Sequence, residues 1–183
     1  MDDPLRKEAA QTIANLRTLG VSRIALVSGD RKRAAQDVAD ELGLNEVFAE
    51  CKPEDKLDIV RTEMKATTGT VIAVGDGIND APALAAATVG VAMGARGATA
   101  ASEAADVVIV EDSIEHLADA IDVAQGARGR ALQAAGVGMT LATAAMMLGA
   151  VGVFNATASA VTQEFIDAAA ILWALVPPKS RIR

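Results

Sequence analysis

Several residue types are scarce in this chain of 183 residues. It has no tyrosine, three phenylalanines and one tryptophan, so its core must be built from alanine, valine, leucine and isoleucine. Its single cysteine, Cys51, excludes an internal disulfide and a metal site of clustered cysteines, and we interpret it as an ordinary packing or surface residue. The net charge of −7 argues against a general nucleic-acid-binding role. The first twenty residues are charged and amphipathic, so we expect no signal peptide.

Charge is also missing from one long stretch, since no residue from Ala131 to Gln163 is charged. A single helix of that length would extend about 50 Å, whereas the hydrocarbon core of a bilayer is about 30 Å thick. The stretch therefore predicts a transmembrane helical hairpin with arms at 131–153 and about 160–176, turning near 152–159. A buried, alanine-rich hairpin in a soluble protein is the alternative.

Charged residues around and inside this hairpin carry further information. Basic residues flank it on both sides, so both ends are expected in the cytoplasm, together with the preceding domain of a multi-pass membrane protein. Glu164 and Asp167 share one helical face of the second arm. Because a carboxylate inside a membrane usually faces a cavity or an ion path, these two are candidates for a transport path. Alternatively, both lie at the water interface and cap the helix.

Before the hairpin, strand patterns alternate with helix patterns, which is typical of an α/β fold with a mainly parallel sheet and flanking helices. Helices are predicted to begin at Pro4 after a cap at Asp3, at 31, at Pro53 and at 113, and a short one lies near 98–104. Strands are predicted at 23–27, 46–49, 71–74, 88–93 and 106–110. The resulting domains are residues 1–112, a connecting helix at 113–130 with a reciprocal cap from Asp112 and Glu115, and the hairpin with a short basic tail at 131–183.

The most informative motif follows the predicted strand 71–74. Two glycines flank Asp76 and allow a sharp turn, and Asn79 and Asp80 come next, before a helix with Pro82 in its first turn. Ligands of open α/β sheets bind at this end of the strands. Two crowded carboxylates suit a hard cation such as Mg²⁺, which takes one or two carboxylates together with phosphate oxygens. A plain Asp-Gly turn is the alternative, but it does not account for the strand and helix on either side.

Two further segments are predicted to reach the same edge of the sheet. Ser28, Gly29 and Asp30 follow the strand 23–27 and offer a hydroxyl, a backbone amide and an acid to a phosphoryl oxygen. Lys56 lies near the start of the helix that begins at Pro53, and its charge could stabilise a transferring phosphoryl group. Each segment is weak by itself, but with the Asp76 loop, whose Asn79 could orient a water molecule, they predict a phosphoryl-transfer site.

One catalytic role is unfilled, because covalent phosphoryl transfer needs an activated nucleophile. No predicted strand ends in an aspartate followed by Lys-Thr or by a second aspartate. Asp2 and Asp3 have no strand before them, and Asp106 begins a strand, which places it at the opposite edge of the sheet.

At these motifs the chain resembles the carboxyl-terminal part of a P-type ATPase of the heavy-metal-transporting branch, over essentially its whole length. Residues 75–82 match the hinge motif of that family, and Ser28-Gly29-Asp30 is similar to its Thr-Gly-Asp motif. Lys56 matches the lysine that contacts the aspartyl phosphate. Residues 163–167 are similar to the closing helix of metal pumps, where an acid can contribute to the ion pathway.

The resemblance implies a partial haloacid-dehalogenase-like phosphorylation domain followed by the last two membrane helices. It implies that Lys56, Asp76 and Asp80 are catalytic, that Asp76 binds Mg²⁺, and that Asp80 and Asn79 support the metal and the phosphate. ATP would be bound mainly by parts that this sequence lacks. The transported ion is left open among copper, zinc, cadmium and cobalt.

The departures from that family are as informative as the matches. The Asp-Lys-Thr-Gly-Thr motif, the nucleotide-binding insert, the actuator domain and the earlier membrane helices with the main metal site are missing. The chain is therefore expected to be a piece of a pump, active only with the amino-terminal part in cis or in trans. In the family fold, the strand with the phosphorylated aspartate lies between the strands that end at Ser28 and Val74. We predict either that these two strands pair directly or that the gap stays open for a partner.

Three functions remain open from the sequence. The first is part of an ATP-driven heavy-metal cation transporter in the lipid bilayer, which is an enzyme only with its missing parts. The second is a membrane-anchored phosphatase of the haloacid dehalogenase superfamily, against which the missing nucleophile argues. The third is a non-catalytic partner of a full pump that associates through its hairpin.

Overall fold

The structure is a computed structural model and describes residues 7–76, 78–94, 100–111, 113–177 and 179–182. The caps predicted at Asp3 and Asp112 lie outside the described residues. Contacts divide the chain into two units, residues 1–119 and 120–183.

The first unit alternates helices and strands in the predicted order. Its helices are α1 (Lys7–Thr18), α2 (Lys32–Leu42), α3 (Pro53–Ala66), α4 (Ala81–Ala86), α5 (Ala100–Ala104) and the start of α6 (Glu115–Ala150). Its strands are β1 (Ala25–Val27), β2 (Glu46–Phe48), β3 (Ile72–Gly75), β4 (Val89–Met93) and β5 (Val107–Ile109), and a 3₁₀ turn at Ile78–Asp80 precedes α4.

The strands form two separate parallel sheets. β1 pairs with β2, with Ala25 opposite Glu46. β4 lies between β3 and β5, with Ile72 opposite Val89 and Val91 opposite Val107. No strand of the described residues pairs with both sheets, and β1 does not pair with β3. Direct pairing, one of the two outcomes predicted for the missing central strand, is therefore not observed among the described residues.

The packed centre of the first unit lies beside β4. Leu84 of α4, Ala92 of β4 and Ala101 of α5 are almost fully buried and pack together. Gly90 permits this contact, because an added Cβ atom there would lie 2.6 Å from the Leu84 carbonyl oxygen. The aliphatic core that the scarcity of aromatic residues predicts is therefore confirmed.

The second unit is a helical hairpin. α6 continues to Ala150, a turn with Gly152 at φ +79° follows, and α7 spans Ala156–Ala174. α7 begins earlier than the expected start near residue 160, because the Asn155 side chain caps it by accepting a hydrogen bond from the Ala158 N–H at 2.8 Å. An added Cβ at Gly138 would lie 3.5 Å from the Ala170 Cβ, so the two helices meet at this point.

α6 has the properties of a membrane-spanning helix. Among helices of the described residues, it is the one whose length and apolar composition suffice to cross a bilayer, and only 11% of its apolar part is buried. That low burial disfavours the alternative of a core hairpin in a soluble protein. α7 carries Gln163, Glu164 and Asp167 and has no 18-residue segment apolar enough to meet the same criterion, so its own span remains a proposal.

Candidate phosphate-handling site

The loop after β3 folds back tightly onto its own strand. Asp80, at the end of the 3₁₀ turn, returns to Gly75, where an added Cβ atom would lie 2.7 Å from the Asp80 Cβ. Only glycine fits at position 75 without displacing Asp80. Pro82 lies in the first turn of α4, as predicted. The local sequence thus holds the Asp80 carboxylate at the carboxyl end of β3.

A close ion pair joins this loop to α3. Lys56 Nζ lies 2.6 Å from Asp80 Oδ1, and the two side chains are only 22% and 15% exposed. α3 presents Lys56 at this point because it begins at Pro53, where the Lys52 N–H donates to Asp55 Oδ2 at 2.8 Å. The structure therefore brings together two of the three residues expected to be catalytic.

The Ser28 loop forms a compact turn of its own. Ser28 Oγ donates to Asp30 Oδ2 at 2.7 Å and accepts from the Asp30 N–H at 3.1 Å. The backbone of the loop is bound to the segment before α3, because the Cys51 N–H donates to the Ser28 carbonyl at 3.0 Å and the Glu50 N–H donates to the Asp30 carbonyl at 2.9 Å. This segment leads within a few residues to Lys56, so the loop and the ion pair belong to one connected framework.

Glu50 is a residue that sequence reasoning missed. Its φ of +57° lies in the left-handed region, which non-glycine residues rarely adopt. No sequence signal marks it, since glutamate has no particular preference for that conformation. The unusual backbone at Glu50 turns the chain from β2 toward the Ser28 loop and α3.

Asp76 and Asn79 are exposed beside this framework. In the part of the chain that the structure describes, neither side chain forms a hydrogen bond or ion pair with another residue. Their oxygen atoms are thus open to an outside ligand, whereas one Asp80 oxygen already contacts Lys56. Within the described residues, no hydrogen bond or ion pair joins Asp76 or Asn79 to Ser28.

Two other polar residues near the strands have structural roles. Asp106 Oδ2 accepts a hydrogen bond from the Gly90 N–H at 2.8 Å, which ties the start of β5 to β4. Burial raises the pKa of the Cys51 thiol above its ordinary value, as does the Asp55 carboxylate, while Lys56 lowers it. The thiol therefore stays protonated near neutral pH, in agreement with its interpretation as a packing residue.

Glu164 and Asp167 lie near the middle of α7, in the second unit. Both side chains are exposed, and Gln163 Nε2 donates to Asp167 Oδ1 at 3.0 Å. Their position does not fit the alternative in which they cap the helix at its start, because Asn155 performs that role.

Comparison with known proteins shows the domain class of the first unit. A family model described as haloacid dehalogenase-like hydrolase matches residues 1–88, and a second with the same description matches residues 56–121. The first unit is therefore a haloacid-dehalogenase-like domain.

Individual relatives define the branch more closely. The manganese-exporting P-type ATPase of Mycobacterium bovis is 43% identical over 159 residues, which are 87% of this chain and 22% of that protein. The cadmium, zinc and cobalt-transporting ATPase of Bacillus subtilis is 40% identical over 153 residues, 82% of this chain and 22% of that protein. A crystal structure of a zinc-transporting PIB-type ATPase in the E2.Pi state matches with a TM-score of 0.85 and 32% identity, over 95% of this chain and 28% of that one.

The chain therefore belongs with the heavy-metal-transporting P-type ATPases, and it spans about a fifth of the length of the curated relatives it matches. These matches confirm the resemblance and the predicted fold class. Manganese was not among the ions that the sequence left open.

Proposed function

We propose that this chain is the part of an ATP-driven heavy-metal cation pump that binds the transferred phosphoryl group and supplies the last two membrane helices. The Lys56–Asp80 ion pair is the observation that carries the proposal, because it places a cation and a carboxylate together at the carboxyl end of β3. The related pumps support a heavy-metal cargo and leave the ion open, since one is named for manganese and another for cadmium, zinc and cobalt.

Mg²⁺ fits the donor set of the loop after β3. Asp76 would hold the ion and Asp80 would support it. Within the described residues, no group of three acidic, histidine or cysteine side chains could hold a metal without help. Mg²⁺ does not need such a group, because it binds one or two carboxylates together with phosphate oxygens and water. When bound, it would neutralise charge on the phosphoryl oxygens.

The remaining polar groups would orient the phosphoryl group. Lys56 would contact it directly, and the Gly29 N–H would donate a hydrogen bond to one of its oxygens. The Ser28 hydroxyl donates its single proton to Asp30, and that proton would turn from Asp30 to a phosphoryl oxygen when the group binds. Asn79 would orient the attacking water. The aspartate that is phosphorylated, and most of the ATP site, would come from the missing part of the pump.

The unpaired edges of β1 and β3 among the described residues support the need for that missing part. In β1 the Ile24 carbonyl and the Ser28 N–H bond to the β2 side, so by alternation Ala25 and Val27 direct their backbone groups to the other edge. In β3 the Val71 carbonyl bonds to β4, so Val74 likewise faces away. Each of these edges can accept a parallel strand. We propose that the amino-terminal part of the pump, in cis or in trans, supplies one strand that pairs with both.

The hairpin would anchor the chain as a multi-pass membrane protein with the first unit in the cytoplasm. Large apolar side chains are widely exposed along α6 and α7, which suits contact with lipid or with other membrane helices. The 19 residues of α7 would extend about 28 Å, close to the thickness of the hydrocarbon core.

Glu164 and Asp167 would then lie deep in the membrane. A carboxylate at that depth is costly when it faces lipid, so this face of α7 would be covered by other helices of the pump or would line the ion path. The hydrogen bond from Gln163 satisfies only part of the Asp167 carboxylate. We propose Asp167, and with it Glu164, as part of the transport path.

Reconstitution tests the proposal directly. The chain is co-purified with the amino-terminal part of a related P-type ATPase, and acid-stable phosphoenzyme is measured with labelled ATP and Mg²⁺. We expect phosphoenzyme from the mixture and none from this chain alone. Asp76→Asn should abolish it, whereas Asp58→Asn, an exposed acid of α3, should leave it unchanged. A stable complex without phosphorylation would contradict the proposal, and an undiminished signal with Asp76→Asn would contradict the role of Asp76.

A phosphatase is the second candidate, because the matching family models are described as hydrolases. It would be supported if the purified chain with Mg²⁺ hydrolysed p-nitrophenyl phosphate and if Asp76→Ala abolished the turnover. The absence of a nucleophile in the sequence leads us to expect no turnover. Capture of a complete pump by the chain, without any effect of Asp76→Asn, would instead favour a non-catalytic partner.

A further inference from the structure

A small basic cavity lies in the second unit, where the tail after α7 returns to α6. Its volume is about 170 Å³. The lining residues are Gln125, Gly126, Gly129, Arg130, Gln133, Lys179 and Arg181. Three of them are cationic and none is acidic, in a chain whose net charge is −7. We call this site the tail cavity.

Buried contacts hold the tail against α6 and so build the cavity. The Arg181 N–H donates to Asp122 Oδ2 at 3.0 Å, and Asp122 is only 5% exposed. Arg181 Nη1 donates to Gln125 Oε1 at 3.2 Å. The Asp122 carboxylate binds the tail backbone and does not line the cavity, so it leaves the three cations of the site facing a shared space.

Arg130 borders the cavity from the other side. Its guanidinium carbon lies 5.0 Å from the centre of the Trp173 ring, a cation–π contact that orients the charge without neutralising it. Above Gly129, an added Cβ atom would meet no atom within 4 Å, so the helix surface there is open. A water molecule takes about 30 Å³ in the liquid, and the cavity therefore has room for a phosphate group and some water.

The position of the tail cavity indicates the source of the anion. The charge-free stretch begins directly after Arg130, and Lys179 follows the end of α7 at Ala174. The cavity thus lies at the boundary between the apolar and the charged parts of the hairpin. Trp173, which is half exposed, is of a type enriched at membrane–water interfaces. Basic pockets at such boundaries suit anionic lipid headgroups.

We propose that the tail cavity binds the phosphate-bearing headgroup of an anionic glycerophospholipid. The proposal rests on the membrane placement of α6 and α7 given under the proposed function. Lys179 and Arg181 would contact the headgroup phosphate, Arg130 would contact it from α6, and Gln133 would donate a further hydrogen bond. The acyl chains would extend along the exposed apolar surface of the hairpin.

Trp173 provides the measurement, because it is the single tryptophan of the chain and adjoins the cavity through Arg130. The full chain is reconstituted in phosphatidylcholine bilayers that contain either brominated phosphatidylglycerol or brominated phosphatidylcholine. Bromine quenches nearby tryptophan, so the ratio of the two quenching curves gives the relative affinity. We expect the affinity for phosphatidylglycerol to exceed that for phosphatidylcholine about five-fold or more. One basic residue near an anionic membrane surface contributes a factor of about this size to binding.

Matched variants separate the cavity from general charge. Lys179→Gln and Arg181→Gln should each remove most of the preference, whereas Arg128→Gln should keep it, because Arg128 is exposed on α6 but does not line the cavity. Gly129→Leu should fill the cavity and also remove the preference. Gly136→Leu is its control, since an added Cβ there likewise meets no atom within 4 Å. The proposal would be overturned if Arg128→Gln removed as much of the preference as the two cavity substitutions to glutamine. It would also be overturned if Gly136→Leu removed as much as Gly129→Leu.

The remaining outcomes distinguish the ligand and the placement. If inorganic phosphate, added to the phosphatidylglycerol-containing bilayers at constant ionic strength, abolished the preference, the site would recognise free phosphate and the lipid proposal would be wrong. Equal quenching by both lipids would overturn the lipid site but leave the hairpin in the membrane. No quenching by either lipid would instead contradict the membrane placement and thus the proposed function.

Discussion

The two sheets of the first unit differ in how fully their strands are enclosed. β4 has a neighbour on each edge, and Val91 and Ala92 in it are 3% and 0% exposed. β1 has a neighbour on one edge, and no residue of β1 or β2 is buried, although β1 (Ala-Leu-Val) is as apolar as the strands of the other sheet. The difference shows that the position of a strand in its sheet, more than its apolar sequence, decides whether its residues are buried. The missing central strand would cover an edge of β1 and an edge of β3, whereas β4 is enclosed without it.

This contrast bears on stability, because an isolated two-stranded sheet is marginally stable in water. Here β1 and β2 are supported from outside, since α1 and α2 bury Ile13, Leu16, Ala35 and Ala39. The Lys56–Asp80 ion pair also links α3 to the loop after β3. The framework of the phosphate-handling site can therefore form without the central strand, while its edges stay open.

Amide hydrogen exchange rates should show the largest difference between the enclosed strand β4 and the edge strands β1 and β3. The Ala92 N–H should exchange only when the unit unfolds, whereas those of Val27 and Val74 should exchange at least about a thousand-fold faster, because their edges are open. NMR exchange rates measure this. A partner that supplies the missing strand should slow the two edge amides and leave Ala92 unchanged. Equal protection of all three in the free chain would show that the gap is closed.

Truncation of buried side chains should destabilise the unit more beside β4 than at β1. Leu84→Ala should lower the free energy of unfolding by about 3 kcal/mol, because Leu84 is 1% exposed and leaves a cavity beside β4. Val27→Ala should cost only about 1 kcal/mol, because Val27 is half-buried. Urea denaturation compares the two variants. The opposite order would mean that β1 and β2 contain the true core.

Loss of the ion pair should have the smallest effect of the three. Lys56→Ala should cost about 1–2 kcal/mol, because it leaves the Asp80 carboxylate partly buried without its cation. Arg61→Ala is the matched control, since Arg61 pairs with Asp58 at 3.8 Å with both side chains mostly exposed. It should change stability by less than about 0.5 kcal/mol. Equal shifts in thermal unfolding would show that the Lys56 pair acts as an ordinary surface pair.

Much of the site could be predicted from the sequence because its signals are local. Pro53 and Pro82 mark helix starts, Gly75 permits the close return of Asp80, and Gly43 ends α2 in the left-handed conformation. The contact between Lys56 and Asp80 also follows from parallel topology, which brings strand ends to one edge. Asp76 differs, because nothing in its neighbourhood predicts whether a side chain at a loop tip is bound or exposed.

The sequence by itself determined the order of the elements, the apolar hairpin and the acids, lysine and amide that suit phosphate chemistry. These depend on the preferences of one segment at a time. Only the tertiary structure decided that the sheet divides in two, that Glu50 adopts a left-handed backbone, and that Asp122 holds the tail at Arg181 to enclose a basic cavity. Each of these depends on where a distant backbone lies, and pairing between distant segments leaves no pattern within either one.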